Sequence, residues 1–177
     1  TTLPSNSFPI GTSTGEAVIK KSSLSFTSGL SLEKIGDLPC EAIPSRGIDK
    51  KIAEEFGVRT EYDTSTREPK AWYFPYYKDG RVVAYKKRTP DKQFTSIGDI
   101  KGALLFGAQR VGEQGQLLII TEGELDAMSA TQMLRKLGKS YKVVSLVNGA
   151  NVKSLRDNLE WIEKFNKVVL SFDMDEA

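Results

Sequence analysis

Gln116-Leu117-Leu118-Ile119-Ile120-Thr121-Glu122-Gly123-Glu124-Leu125-Asp126 is the stretch that decides the fold. Residues 116–121 form a continuous, largely apolar run, the pattern of a parallel strand buried on both faces. An acid follows at once, then a glycine that lets the chain turn tightly, then more acids at the head of a helical pattern. Residues 123–137 fit a helix, with Leu125, Met128, Met133 and Leu137 expected on or near its inner face and Gly138 as its stop. Further out, residues 142–147 read as a second strand. Residues 151–165 read as one helix with Leu155, Leu159, Ile162 and Phe165 in register. Residues 167–172 read as a third strand running into Asp173. This βαβαβ order predicts a parallel sheet with right-handed crossovers.

Upstream of residue 112 the pattern differs. Residues 1–31 are rich in Ser, Thr and Gly without a sustained period, and read as a linker or flexible arm. Ser45-Arg46-Gly47 leads into a short helix in which Ile48, Ile52, Ala53 and Phe56 share a face and Gly57 supplies the stop. Residues 71–88 read as a β-hairpin turning at Lys78-Asp79-Gly80, and residues 92–97 as a further strand. Residues 102–107 read as a buried turn. The expected division is an arm at 1–31, an N-terminal subdomain with a basic hairpin at 32–111, and the parallel-sheet domain at 112–177. The fold class is α/β.

Composition narrows the chemistry. The chain has one cysteine, Cys40, and no histidine, which excludes a disulfide framework, a Cys/His zinc site and a histidine base from these 177 residues. No apolar run approaches the roughly 18 residues of a membrane helix. The net charge is only +2, yet residues 78–92 hold Lys78, Arg81, Lys86, Lys87, Arg88 and Lys92 against Asp79 and Asp91, a local +4. Such a strip on a near-neutral chain points to a polyanionic partner. The competing reading is a solvated hairpin face. On a strand Lys87 points away from Lys86 and Arg88. Trp72, Tyr73, Phe74, Tyr76 and Tyr77 are able to stack on bases, though alternation assigns most of them to the core.

Two acidic groups lie at strand ends: Glu122 with Glu124 and Asp126 after the first strand, and Asp173 with Asp175 and Glu176 after the third. Ligands of open α/β sheets bind at the carboxyl ends of the strands, so both groups face one crevice. Carboxylates gathered there repel unless cations neutralise them, and hard divalent ions with oxygen preference, Mg²⁺ or Mn²⁺, are suited to this. Glu124 and Asp126 have a plainer reading, since acids in a first helical turn favour the helix dipole without further role.

Residues 120–126 together with 170–177 resemble the Toprim signature found in topoisomerases, primases and certain nucleases. The wording is most similar to the RNA-polymerase domain of phage primase–helicases, relatives of the mitochondrial Twinkle helicase. Ser145-Leu146-Val147-Asn148-Gly149-Ala150, Ser45-Arg46-Gly47-Ile48, Lys86-Lys87-Arg88 through Phe94, and Leu105-Phe106-Gly107 extend the resemblance to about residues 38–177. It implies that Glu122, Asp173 and Asp175 bind Mg²⁺, with Mn²⁺ as substitute. It also implies that Lys86 and Lys92 act in catalysis by contacting the triphosphate or the growing primer, and that Arg88 and Arg46 join them in holding nucleotide or DNA. The implied activity is that of a nucleotidyltransferase, a DNA primase making short RNA primers on single-stranded DNA from ribonucleoside triphosphates. The implied partners are a replicative helicase domain and a zinc-binding domain, neither within this chain, and no membrane. The sequence stops two residues after Asp175, where the family continues, so a Toprim fold cut short at its C-terminus is expected. The implied setting is the cytoplasm of a phage-infected bacterium, or a mitochondrial or plastid matrix. The alternatives are a Twinkle-like DNA-binding module without catalysis and a Toprim nuclease.

Overall fold

The computed structural model describes residues 29–147, 149 and 152–173. Most of the expected N-terminal arm lies outside them. Of its last residues, Ser31 caps helix α1 (Leu32–Gly36), its hydroxyl accepting from the Lys34 N–H at 3.3 Å. This helix is too short to show a period in the sequence. A 3₁₀ turn (Pro44–Arg46) then leads into α2 (Lys50–Phe56), which buries Ile52, Ala53 and Phe56 and ends on Gly57 in the left-handed conformation.

Four antiparallel strands follow in the order β1 (Arg59–Tyr62), β2 (Pro69–Lys78), β3 (Arg81–Arg88) and β4 (Phe94–Gly98). Asp79 and Gly80 both have positive φ, 49° and 75°, the geometry a tight hairpin demands. The expected strand at residues 92–97 begins two residues later than Lys92. Lys92 instead sits at φ 65° in a turn closed by the Lys92 N–H to Thr89 C=O bond at 3.0 Å. The pairing fixes the faces of the sheet. Trp72 opposes Arg88, Phe74 opposes Lys86 and Tyr76 opposes Ala84, so these six share the inner face. Tyr73 and Tyr85 lie on the other face beneath α1, with Ile35 and Ala71.

The second sheet is parallel and ordered β6 (Lys142–Ser145), β5 (Gly115–Thr121), β7 (Phe165–Ser171). A short helix α3 (Ala108–Val111) precedes it, and α4 (Glu124–Lys136) follows β5. One cluster of buried side chains, from Ile43 to Phe165, runs through both sheets. Phe106 is its hub, with ring centroids 5.1 Å from Phe56, 5.8 Å from Phe74 and 6.0 Å from Tyr76. Gln132 of α4 ties the halves further, accepting from the Asp49 N–H at 2.8 Å and donating to the Gly47 carbonyl at 2.7 Å.

Two helical expectations need correction. On α4 the buried face runs through Leu125, Ala127, Met128, Thr131 and Gln132, whereas Met133 and Leu137 are 63 % and 71 % exposed. The inner stripe recurs at three- and four-residue steps from Leu125, and Met133 falls outside it. The helix expected over 151–165 is divided into α5 (Val152–Asp157) and α6 (Leu159–Ile162). Buried Asn158 breaks it: its Nδ2 donates to the Ser154 carbonyl at 2.9 Å, a local side-chain bond that competes with helix propagation. Leu159 is therefore exposed, and Phe165 opens β7, its ring 5.0 Å from that of Trp161.

Candidate active site

The parallel sheet brings the two acidic strand ends together by register alone. Thr121 pairs with Ser171 at the ends of β5 and β7, so Glu122 and Asp173 emerge side by side at the same edge. Both line one polar cleft of about 160 Å³. Gly149, which follows β6 with φ 65°, closes on it from that strand's end; a Cβ there would lie 3.8 Å from Oε1 of Glu122. Gly123 serves differently from expectation. Its φ of −112° and ψ of 158° suit any residue, and its value is space, since a Cβ would lie 2.7 Å from the Asp126 carboxylate.

The opposite wall comes from the inner face of the antiparallel sheet. Lys86, Arg88 and Phe94 line the cleft there, with Arg46 from the 3₁₀ turn. Lys86 Nζ lies 2.8 Å from Oε1 of Glu124, and the Tyr76 hydroxyl donates to the same oxygen at 2.5 Å. Glu124 is only 6 % exposed. Burial, then the adjacent carboxylate, hold the Tyr76 hydroxyl well above the ordinary tyrosine range, so it stays a donor. The Lys86 ammonium also lies 5.1 Å from the centre of the Phe94 ring, and the Arg88 guanidinium 5.2 Å. Phe94 itself is 51 % exposed. Burial and the neighbouring Arg46 pull the Arg88 pKa below the usual guanidinium value.

Of the residues singled out from sequence, Glu122, Asp173, Lys86, Arg88 and Arg46 line this cleft, and Lys92 lies on the adjoining cavity with Arg46 and Arg88. Asp175 lies outside the described residues. Lys87 points to the other face, 4.0 Å from a Glu61 oxygen and 5.7 Å from the Tyr73 ring. Among the described residues no three acidic, cysteine or histidine side chains form a group sized for a metal ion. Glu122 and Asp173 supply two oxygen donors of the right chemistry for a hard cation, and no nitrogen or sulfur ligand competes in the cleft. Glu124 and Tyr76 were not assigned to the site from sequence. Glu124 reads there as a helix-dipole acid and Tyr76 as core, and 48 residues separate them. Strand alternation gave no signal: counted from the two-residue turn it puts Tyr76 on the face opposite to Lys86, and only the register shift between Tyr76 and Tyr77 brings the two to one face.

Residues 119–177 match a family model described as Toprim-like. The chain is 31 % identical over 139 residues to the DNA helicase/primase of Enterobacteria phage T3, covering 76 % of this chain and 23 % of that protein. It thus spans less than a quarter of the curated relative. The crystal structure of the primase fragment of the bacteriophage T7 primase–helicase superposes with a TM-score of 0.66 at 30 % identity, over 78 % of this chain and 56 % of that one. A second T7 structure has the lagging-strand DNA polymerase interacting with primase domains bound to an RNA/DNA hybrid and dTTP. It superposes with a TM-score of 0.65 at 31 % identity, over 78 % of this chain and 68 % of that one. With the parallel sheet and the acidic strand ends in place, these matches show that the chain belongs to the Toprim-containing primase family of the phage primase–helicases.

Proposed function

We propose that the chain is the RNA-polymerase domain of a DNA primase, joining ribonucleotides on a single-stranded DNA template. The observation that carries this reading is the facing of two walls across one cleft: Glu122 and Asp173 on one side, Lys86, Arg88 and Arg46 on the other. An acid edge suits divalent cations, and a basic edge suits phosphates. The division at residues 111/112 is part of the proposal, with the antiparallel sheet supplying the basic wall and the parallel sheet the acids. The T7 primase domains bound to an RNA/DNA hybrid and dTTP support nucleic acid and nucleotide as ligands.

Glu122, Asp173 and, by the sequence pattern, Asp175 would hold Mg²⁺, with Mn²⁺ as substitute. Bound there, such ions would lower the pKa of a primer 3′-hydroxyl and neutralise a departing pyrophosphate. The chain's own cations would orient the triphosphate, Arg88 and Arg46 from the rim and Lys86 from deeper in the cleft. With no histidine in the chain, positioning and charge stabilisation carry the rate rather than a histidine base. The setting that fits is the cytoplasm of a phage-infected bacterium, in a larger protein with zinc-binding and helicase domains.

The test is incubation with single-stranded DNA, labelled ribonucleoside triphosphates and Mn²⁺, beside calorimetric titration of Mn²⁺ alone. Oligoribonucleotide products and Mn²⁺ binding, both lost in Asp173→Asn, are expected. Cleaved DNA would move the assignment to a nuclease. Equal Mn²⁺ affinity in wild type and Asp173→Asn would remove Asp173 from the metal site.

A further inference from the structure

A small cavity of about 150 Å³ lies at the opposite edge of the parallel sheet from the acidic cleft. Lys142, which opens β6, and Arg135, in the last turn of α4, stand on its wall. Arg110 of α3 and Lys139, from the turn joining α4 to β6, complete a ring of four cations. Thr131 and Ser140 add hydroxyls, and no carboxylate lines it. Helix α4 starts at Glu124 in the acidic cleft, and its 13 residues rise about 20 Å before they reach this cavity. The volume falls below the range of sites that enclose a drug-sized molecule, but it has room for a few water-sized groups.

Three observations point to an anion. Among the described residues only Arg135 of the four cations forms a salt bridge, to Glu55 at 2.5 Å, so four positive charges face one negative. Second, Arg110 is withdrawn from water without a counter-ion. Its guanidinium lies 3.8 Å from the centre of the Phe56 ring, and its Nη2 donates to the Val143 carbonyl at 3.0 Å and the Thr131 hydroxyl at 3.5 Å. These acceptors are neutral, so they satisfy donors without cancelling the charge. Burial pulls the Arg110 pKa down to about 10, against the attraction of Glu55 from farther off. A cation held this way is costly unless an anion joins it. Third, residues 127–156 contain six lysines and arginines and no aspartate or glutamate, so the surrounding chain supplies no local compensation. Attraction to the C-terminal end of α4 accounts for Arg135, but not for Arg110 on another helix or Lys142 at the head of a strand.

We propose that this cavity binds one tetrahedral oxyanion of the phosphate type, held by Arg110, Arg135, Lys139 and Lys142 with the Ser140 hydroxyl as a further donor. The Thr131 hydroxyl is already committed as a donor, to the Ala127 carbonyl at 2.7 Å. A dianion with oxygens on all sides suits cations that converge from two helices, a turn and a strand, whereas a carboxylate carries one charge and presents one edge. The site stands apart from the acidic cleft and has no part in the joining of nucleotides. The oxyanion is either free phosphate or a single phosphate of a strand passing along this edge, which share this chemistry.

The test follows the backbone amide resonances of Lys139, Ser140 and Tyr141 by NMR, which reports on this cavity and not on the basic residues of the cleft. Sodium orthophosphate, sodium chloride at matched ionic strength and a single-stranded oligodeoxynucleotide are titrated into the whole chain in turn. A phosphate-bearing ligand shifts these resonances saturably, and chloride does not. If orthophosphate acts and the oligonucleotide does not, the occupant is the free ion; if the oligonucleotide acts, it is a strand phosphate. The double variant Lys139→Gln, Lys142→Gln changes two side chains that are not buried and so retains the fold. It weakens the response about tenfold, the scale of one hydrogen bond to a charged group, and leaves Mn²⁺ binding at the acidic cleft unchanged. Shifts that are absent, that never saturate, or that are equal in wild type and double variant overturn the site. The primase reading stands or falls separately, on Mn²⁺ binding and primer synthesis.

Discussion

Lys86 and Lys92 lie six residues apart on one basic strip, yet the structure treats them in opposite ways. Lys86 is 14 % exposed, paired to buried Glu124 and backed by Tyr76. Lys92, like Arg46 and Arg88, forms no salt bridge among the described residues, although the Glu124 and Asp126 carboxylates act on Arg88 from farther off, and Lys92 stands on a strained turn. A cation neutralised inside the protein is part of the architecture and holds its position whether or not ligand is present. A cation left unpaired repels its neighbours until an anion arrives. The basic strip is therefore two devices: a fixed charge paired to the acid Glu124 inside the cleft and a cluster without salt bridges beside it.

The comparison can be broken at its fixed end first. Glu124→Ala leaves the Lys86 ammonium buried without its counter-ion. We predict a loss of about 3 kcal/mol, in the range for removing one partner of a buried pair, read as a fall in the denaturation midpoint. A change near zero would show that Lys86 swings to solvent and that the two lysines do not differ.

Tyr76→Phe should cost about 1.5 kcal/mol, one hydrogen bond to a charged acceptor. It also carries a pH signature. The folded-state pKa of Tyr76 is raised, so its contribution is complete below the ordinary tyrosine value near 10 and is lost as pH climbs through the raised value. Wild-type stability should fall above about pH 10, and the fall should be shallower in Tyr76→Phe. Parallel curves for the two proteins would contradict the assignment. Tyr73 and Tyr85 are raised too and keep part of the slope in both.

The cluster without salt bridges should show in salt dependence rather than stability. Neutralising Arg88 or Lys92 should each remove roughly 0.7 from the slope of log affinity against log salt for single-stranded DNA, without a matching change in melting. An unchanged slope favours a plain solvated face. The smallest effect has the opposite sign: Lys92→Gly should raise stability by up to about 1 kcal/mol through relief of the left-handed strain while binding falls. A loss of stability would mean that the lysine side chain packs more than it strains.

The parallel half was legible in sequence because its signals are local. Residues 117–120 are apolar without a break and are followed, after Thr121, by Glu122 and a helix, so neither the strand nor the acid at its end needed long-range information. Asp173 was legible for the same reason. Asn158 was not: a single polar residue inside an otherwise helical pattern gives no warning that its amide will be buried against the Ser154 and Ala103 carbonyls. Met133 misled because an apolar residue on a helix suggests an inner face even where the stripe has moved past it. The Glu124–Tyr76–Lys86 contact joins three elements distant in sequence, and nothing local distinguishes Glu124 from an ordinary first-turn acid. Lys92 belongs with these, since its role depends on a turn whose left-handed residue is neither glycine nor asparagine.

The order of the parallel sheet also sets a timetable. Hairpin β2–β3 closes over a two-residue turn, and β4 joins it after another short one, so this sheet can assemble from neighbours on the fast side of folding. Strand β5 has no such neighbour. Its partners lie about a helix away on one side and, on the other, across the fifty residues from Gly115 to Phe165. Each closure must bear its loop entropy before any ladder bond repays it. During that delay an apolar β5 waits with an open edge, so the last step of folding, the docking of β7, is the one that completes the acidic pair. A chain caught before it would hold a finished basic wall with only half of the acidic pair opposite it.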